Sequence, residues 1–103
     1  MFATTETNAE GTYLQGFLYT TMYRLAELFG EPTHFSDDEK VKVEWILEHD
    51  DILIAIYDWK NPQRPEIFDD YEWHIGARQP KDIERFFSYF PELERKYTAC
   101  SNA

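Results

Sequence analysis

The stretch KVKVEWILEHDDILIAIYDW, residues 40–59, decides the fold. From Lys40 to Glu48, Val41, Val43, Trp45 and Leu47 alternate with Lys40, Lys42, Glu44 and Glu48, with Ile46 the one exception. That period of two belongs to a strand with one face buried. His49, Asp50 and Asp51 make a polar turn, and Ile52 to Trp59 reads as a second strand rich in β-branched residues, so the two form a hairpin. In the second strand Ile52, Ile54 and Ile56 point one way and Leu53, Ala55, Tyr57 and Trp59 the other. A strand apolar on both faces is covered on both faces and lies centrally in its sheet.

Downstream, residues 61–70 form a loop containing Pro62 and Pro65, and loops of that length commonly carry function. Tyr71 to Ala77 is a third strand, with Tyr71, Trp73 and Ile75 alternating with Glu72, His74 and Gly76. Pro80 opens a helix whose stripe is Ile83, Phe86, Phe87 and Phe90, with Asp82 near its positive end. Pro91 interrupts it, and Leu93 and Tyr97 extend one further helical turn. Upstream, Thr12 and Gln15 fit a capping box, and Leu14, Leu18, Met22, Leu25 and Phe29 recur at helical spacing until Gly30 and Pro32 end the run.

The expected fold is therefore α+β in the order α-β-β-β-α: a three-stranded antiparallel sheet with both helices packed on one face. Residues 12–97 make one domain, between a flexible lead at 1–11 and a flexible tail at 98–103. The double-stranded-RNA-binding domain shares this element order. Such domains carry a basic cluster at their second helix, however, where this chain mixes Lys81 and Arg85 with Asp82 and Glu84, so RNA binding is rejected on charge.

Twenty acidic residues against ten basic ones give a net charge of -10. A direct binder of nucleic acid or of an anionic membrane needs the opposite sign. With 43% hydrophobic and 17% aromatic residues the chain is far too apolar to be disordered. No apolar run reaches the roughly 18 residues of a membrane span, and the start MFATTETNAEG lacks the basic and apolar regions of a signal peptide, so a cytoplasmic location is expected. The single cysteine, Cys100, provides no disulfide framework.

Catalytic patterns are absent from the sequence. His34, His49 and His74 have no helical metal-ligand spacing, and Asp37-Asp38-Glu39 lacks the spacing and glycine of a calcium loop. Glycines at 11, 16, 30 and 76 stand too far apart for a phosphate loop. No enzyme activity, metal or cofactor is expected. Two segments do stand out as a ligand site: Tyr57, Asp58, Trp59 and Lys60 at the end of the second strand, and Trp73, His74 and Arg78 on or just after the third. If these strands pair, Trp59 and Trp73 flank a shallow polar site. The competing structural reading makes the tryptophans core residues and Asp58 a cap on the loop end.

The series Leu25-x-x-Leu28-Phe29-Gly30-Glu31-Pro32, Lys40-Val41-x-Val43-Glu44-Trp45, Ile54-x-Ile56-Tyr57-Asp58-Trp59-Lys60 and Trp73-His74-Ile75-Gly76 resembles a group of small acidic bacteriophage-encoded proteins of unsettled function. The resemblance covers residues 12 to 90, and IYDWK followed by WHIG is its most specific part. Typical members carry a glycine in the hairpin turn and another after WHIG, where this chain has Asp50-Asp51 and Ala77. It implies a phage origin and supplies no catalytic residue.

Charge is unevenly placed: residues 1–26 carry -1, residues 27–72 carry -10 and residues 73–103 carry +1. The acids concentrate in turns, at Asp37, Asp38, Glu39, Glu48, Asp50, Asp51, Glu66, Asp69, Asp70 and Glu72, and are expected to merge into one or two negative patches. The leading expectation is a phage-encoded inhibitor of a host defence protein. It would occupy the basic groove of a nuclease, restriction enzyme or CRISPR-type effector by imitating DNA phosphates, with fast, salt-sensitive association. The alternative is a sponge for a nucleotide signal, with Lys60 and Arg78 on phosphate and Trp59 or Trp73 stacked on a base. A third reading is an accessory phage protein acting through homo-oligomerisation at an uncovered sheet face or edge.

Overall fold

In the computed structural model, which describes residues 2–5, 9, 11–36 and 40–96, nine elements follow one another. They are β1 (Ala3–Thr4), β2 (Tyr13–Thr21), α1 (Met22–Phe29), β3 (His34–Phe35), β4 (Val43–His49), β5 (Ile52–Tyr57), β6 (Asp70–Ala77), α2 (Pro80–Tyr89) and β7 (Glu94–Lys96). The β4–β5 hairpin forms as its alternation requires, and Asp50 takes the left-handed position of the turn at φ 55°. A short polar side chain tolerates that conformation better than most. β5 is buried along nearly its whole length, between β4 and β6.

The fold is α+β with two helices and an antiparallel sheet, but the sheet is twice as wide as the expected three strands. Its order is β1-β4-β5-β6-β2-β7, six strands, with β3 pairing to β4 as a seventh, short one. β1 lies against Leu47 and Glu48, and β3 against Val43 and Glu44, so the two share one edge of β4.

The largest correction concerns residues 12–21, expected to begin the first helix. Tyr13–Thr21 is strand β2, paired with β6, and only Met22–Phe29 is helical. Leu14, Leu18 and Met22 are four apart, a spacing that fits a helix and also keeps even parity along a strand. Around them stand Tyr13, Phe17, Tyr19, Thr20 and Thr21, aromatic or β-branched residues that favour the strand, and Gly16, which weakens a helix. A bulge between Leu14 and Gly16 then turns Leu14 away from the core. The helix cap is Thr21, whose hydroxyl accepts from the Arg24 N–H at 2.9 Å. Thr12 and Gln15 make no capping box: Thr12 donates to the Ala9 carbonyl and the Gln15 amide to the Ala77 carbonyl. The expected end of the helix stands, with Gly30 at φ 81° and its N–H donated to the Ala26 carbonyl.

Two further expectations fail at the termini. Residues 2–5 are not a loose lead: Phe2 is 4% exposed, Ala3 and Thr4 join the sheet, and the Thr5 N–H donates to the Ile46 carbonyl at 2.9 Å. After Pro91 the chain does not resume a helix but enters β7, which pairs with β2 at Phe17 to Tyr19. Tyr97 and the tail lie outside the described residues. With strands before the first helix and after the second, the element order of the double-stranded-RNA-binding domain no longer applies.

Both helices pack on one face. Leu25, Phe29, Ile83, Phe86 and Phe90 meet Leu18, Val43, Trp45, Leu47, Ile52, Ile54, Ile56, Trp73 and Ile75 of the strands in a single core. Trp45 and Trp73 meet edge to face at 5.5 Å, and their indole N–H groups donate to the Gly30 and Thr20 carbonyls. A buried indole thereby keeps its one polar atom satisfied. Gly76 lets β6 approach β2 closely: a Cβ there would sit 3.1 Å from the Tyr13 carbonyl oxygen, a tight contact that the backbone would have to ease.

Candidate functional site

Strand direction divides the acidic residues. Asp50 and Asp51 occupy the β4–β5 turn with Glu48 just before it, while Glu66, Asp69 and Asp70 lie in or after the β5–β6 loop at the opposite end of the sheet. At roughly 3.3 Å per residue the six residues of β5 hold the two groups about 20 Å apart. At the hairpin end the Arg85 guanidinium lies 3.8 Å from Asp51, and the His49 ring lies 3.6 Å from Asp50. Glu48, Glu66, Asp69, Asp70 and Glu72 are exposed and form no ion pair among the described residues. Asp37, Asp38 and Glu39 lie outside the described residues.

The residues of the expected ligand site separate. Trp73 has no exposed surface and belongs to the helix-side core, so it cannot flank a site with Trp59. An odd-numbered position on β6 faces the helices, whereas Tyr57 on β5 faces away, and strand parity alone sets them apart. Arg78 follows the far end of β6, four residues beyond His74 and so about 13 Å along the strand. Asp58 is wholly buried and acts as a clasp: its Oδ1 accepts from the Lys42 and Val43 backbone N–H groups at 2.7 and 3.0 Å. Its other oxygen, Oδ2, is buried with no hydrogen-bond partner. The clasp ties the start of β4 to the end of β5, and Lys42 completes it by donating from Nζ to the Asn61 carbonyl at 2.8 Å.

Tyr57, Trp59, Lys60 and His74 do come together, on the sheet face away from the helices. Tyr57 and His74 are paired in register and their rings stack at 5.4 Å, Trp59 approaches His74 at 6.4 Å, and Lys60 Nζ lies 5.6 Å over the Trp59 ring. This row is longer than the sequence showed. Phe17 of β2 faces His74 in register with ring centroids 5.0 Å apart, and on the other side Glu44 faces Tyr57 and His34 faces Glu44. The row thus reads Phe17, His74, Tyr57, Glu44, His34 across five strands. Asp70 and Glu72 share its face because they stand at even spacing from His74.

Its electrostatics follow from partial burial. Burial raises the Glu44 carboxyl above its ordinary value, with His34 opposing and Asp58 adding to the rise. Burial likewise raises the Tyr57 phenol, with Glu44 adding to it, and lowers His74 against the upward pull of Glu72 and Asp58. The shift favours the neutral imidazole, and its Nδ1 is buried without a hydrogen-bond partner. Phe17 and Glu44 are not legible as site residues from sequence, because Phe17 falls in the run with helical spacing and the neighbour of Glu44 is set only by strand pairing. The aromatic and β-branched content of residues 13–21 is the signal that points to a strand there and so to Phe17.

A second surface lies at the loop end. A concavity of about 400 Å³ is lined by Met22, Phe35, Arg64 and Ile67 among others, and Arg64 stacks over the Phe35 ring at 4.1 Å. Ile67 and Phe68 are exposed beside it, Phe68 at 74%, with Phe68 against Tyr23 at 5.2 Å. Among the described residues no group of three or more His, Cys, Asp or Glu is placed to hold a metal ion, and no helix is long and apolar enough to cross a membrane. Comparison with family models, with curated proteins and with solved structures finds no match.

Proposed function

We propose that this chain is a small acidic binding protein that occupies the basic, nucleic-acid-binding surface of a partner protein. The observation that carries this reading is the set of exposed carboxylates that form no ion pair among the described residues: Glu48, Glu66, Asp69, Asp70 and Glu72. Unneutralised like charges repel one another and weaken the compact state, and a basic partner relieves that repulsion. The inhibitor reading follows: a carboxylate surface competes with phosphates for the same Lys and Arg side chains of a nuclease, restriction enzyme or CRISPR-type effector. A phage origin rests on the resemblance of IYDWK and WHIG to phage proteins. The nucleotide-sponge alternative loses its support, since Trp73 is core and Arg78 stands at the far end from Trp59.

The test is affinity capture at low salt from a bacterial lysate, identification of the retained protein, and titration of that purified protein against this chain with a DNA duplex as competitor. The expected partner binds nucleic acid, is displaced by the duplex, and loses about tenfold or more in affinity between roughly 50 and 200 mM salt. Asp69→Asn with Asp70→Asn weakens it further. Salt-independent affinity, or a ternary complex with the duplex, overturns the proposal.

A further inference from the structure

The face of the sheet away from the helices combines two features. One is a continuous run of ring surface: Phe17 to His74 at 5.0 Å, His74 to Tyr57 at 5.4 Å and Trp59 to His74 at 6.4 Å. The other is carboxylate on both sides of that run, Glu44 in register beside Tyr57, and Glu72 two residues before His74 on the same face of β6. Aromatic faces carry negative quadrupole potential and attract cations, and the attraction grows where water is partly excluded. Lys60 already places its ammonium 5.6 Å over Trp59, so the ring is presented to a cation within the chain itself. At the centre of the row His74 contributes ring surface to Phe17, Tyr57 and Trp59, and its partial burial favours the neutral form.

We infer that this face receives an arginine side chain of the basic partner, its guanidinium lying flat against the Tyr57 and Trp59 rings with Glu44 or Glu72 as counter-ion. The inference rests on the reading that the partner is basic and adds where, and by which side chain, it is gripped. Charge complementarity selects a cation. The ring surface selects arginine over lysine, because a planar and weakly hydrated guanidinium stacks on an aromatic face whereas a compact ammonium retains its water. An entering guanidinium displaces Lys60 from Trp59, a movement that the exposed position of both residues permits.

The test uses the full chain with two probes, short oligo-arginine and oligo-lysine peptides of equal length. Trp59 is the exposed tryptophan, at 42%, while Trp45 and Trp73 are wholly buried, so quenching of the exposed indole reports the site. Oligo-arginine is expected to bind about threefold to tenfold tighter than oligo-lysine. It should also shift the ring resonances of Phe17, Tyr57, Trp59 and His74 in NMR spectra. Titration calorimetry of Trp59→Ala and Glu72→Gln, both at exposed positions, should show that preference abolished, with oligo-lysine affinity within about twofold for Trp59→Ala. Equal binding of both peptides with the row resonances unmoved overturns this inference and leaves the acidic reading standing. Binding of neither peptide at low salt overturns both. Self-association that hides Trp59 from a soluble quencher overturns it too, the face then belonging to a second copy.

Discussion

Asp58 shows how one side chain serves two strands. Its buried Oδ1 satisfies two backbone N–H groups, of Lys42 and Val43, just before β4 begins its pairing with β5. Asp58→Ala leaves both donors buried without an acceptor and is expected to cost about 2–4 kcal/mol, read from urea unfolding. Asp58→Asn keeps a carbonyl oxygen in place of Oδ1 and should cost less than half as much; equal losses would refute the clasp. From sequence alone Asp58 is already readable as a cap on the loop end. Its depth of burial was not legible, since only the fold brings residues 42 and 58 together. At Glu44 and His74 the same partial burial acts in opposite senses. Glu44 is raised above 4.5, so its contribution to stability is present below that pH and lost as pH rises through the folded value. His74 is lowered below 6.5, so its contribution is present above that pH and lost as pH falls through the folded value. Relative to the unaltered chain, Glu44→Gln should gain stability as pH rises above 4.5, and His74→Gln as pH falls below 6.5. Parallel thermal-melt profiles for all three proteins would refute both shifts.

Among the elements, β1 is the one whose existence depends most on a single anchor. Two residues of strand pairing with β4 hold little by themselves, but Phe2 places its ring 5.2 Å from both His49 and Phe86 and 5.6 Å from Tyr89. Phe2→Ala is expected to cost about 3 kcal/mol and to release the Thr5 amide to hydrogen exchange. A loss under about 1 kcal/mol with Thr5 still protected would show that the pairing holds without the ring. No periodicity marks a two-residue strand, and this is why a segment of small polar residues hid it. In β2 the reason differs: four-residue spacing of Leu14, Leu18 and Met22 satisfies both periods, and the tie is broken by the edge that β6 presents on one side and β7 on the other. The α2 segment was legible because Pro80 and the stripe of Ile83 and Phe86 act locally.

For the whole molecule the net charge of -10 sets the response to salt. The ion pairs that oppose it are exposed, such as Arg24 with Glu27 and Glu92 at 3.5 Å, and exposed pairs contribute little. Screening self-repulsion outweighs screening those pairs, so the melting temperature should rise as sodium chloride is added at neutral pH. A melting temperature that falls with salt would mean that the carboxylates are paired in solution, and the basis for a basic partner would fall with it.

The sequence by itself determined the charge, the hairpin and the second helix, because alternation, proline and glycine act over a few neighbouring residues. Tertiary structure alone decided that residues 13–21 become a strand and that Phe2 anchors an edge. It also decided that Phe17, His74, Tyr57 and Glu44 stand in one row while Trp73 and Arg78 leave it. Register between distant strands sets those neighbours, and register is settled by burying one whole face at once. A charge count of -10 says what kind of partner this surface suits. Which side chains stand beside one another on that surface is a property of the assembled sheet.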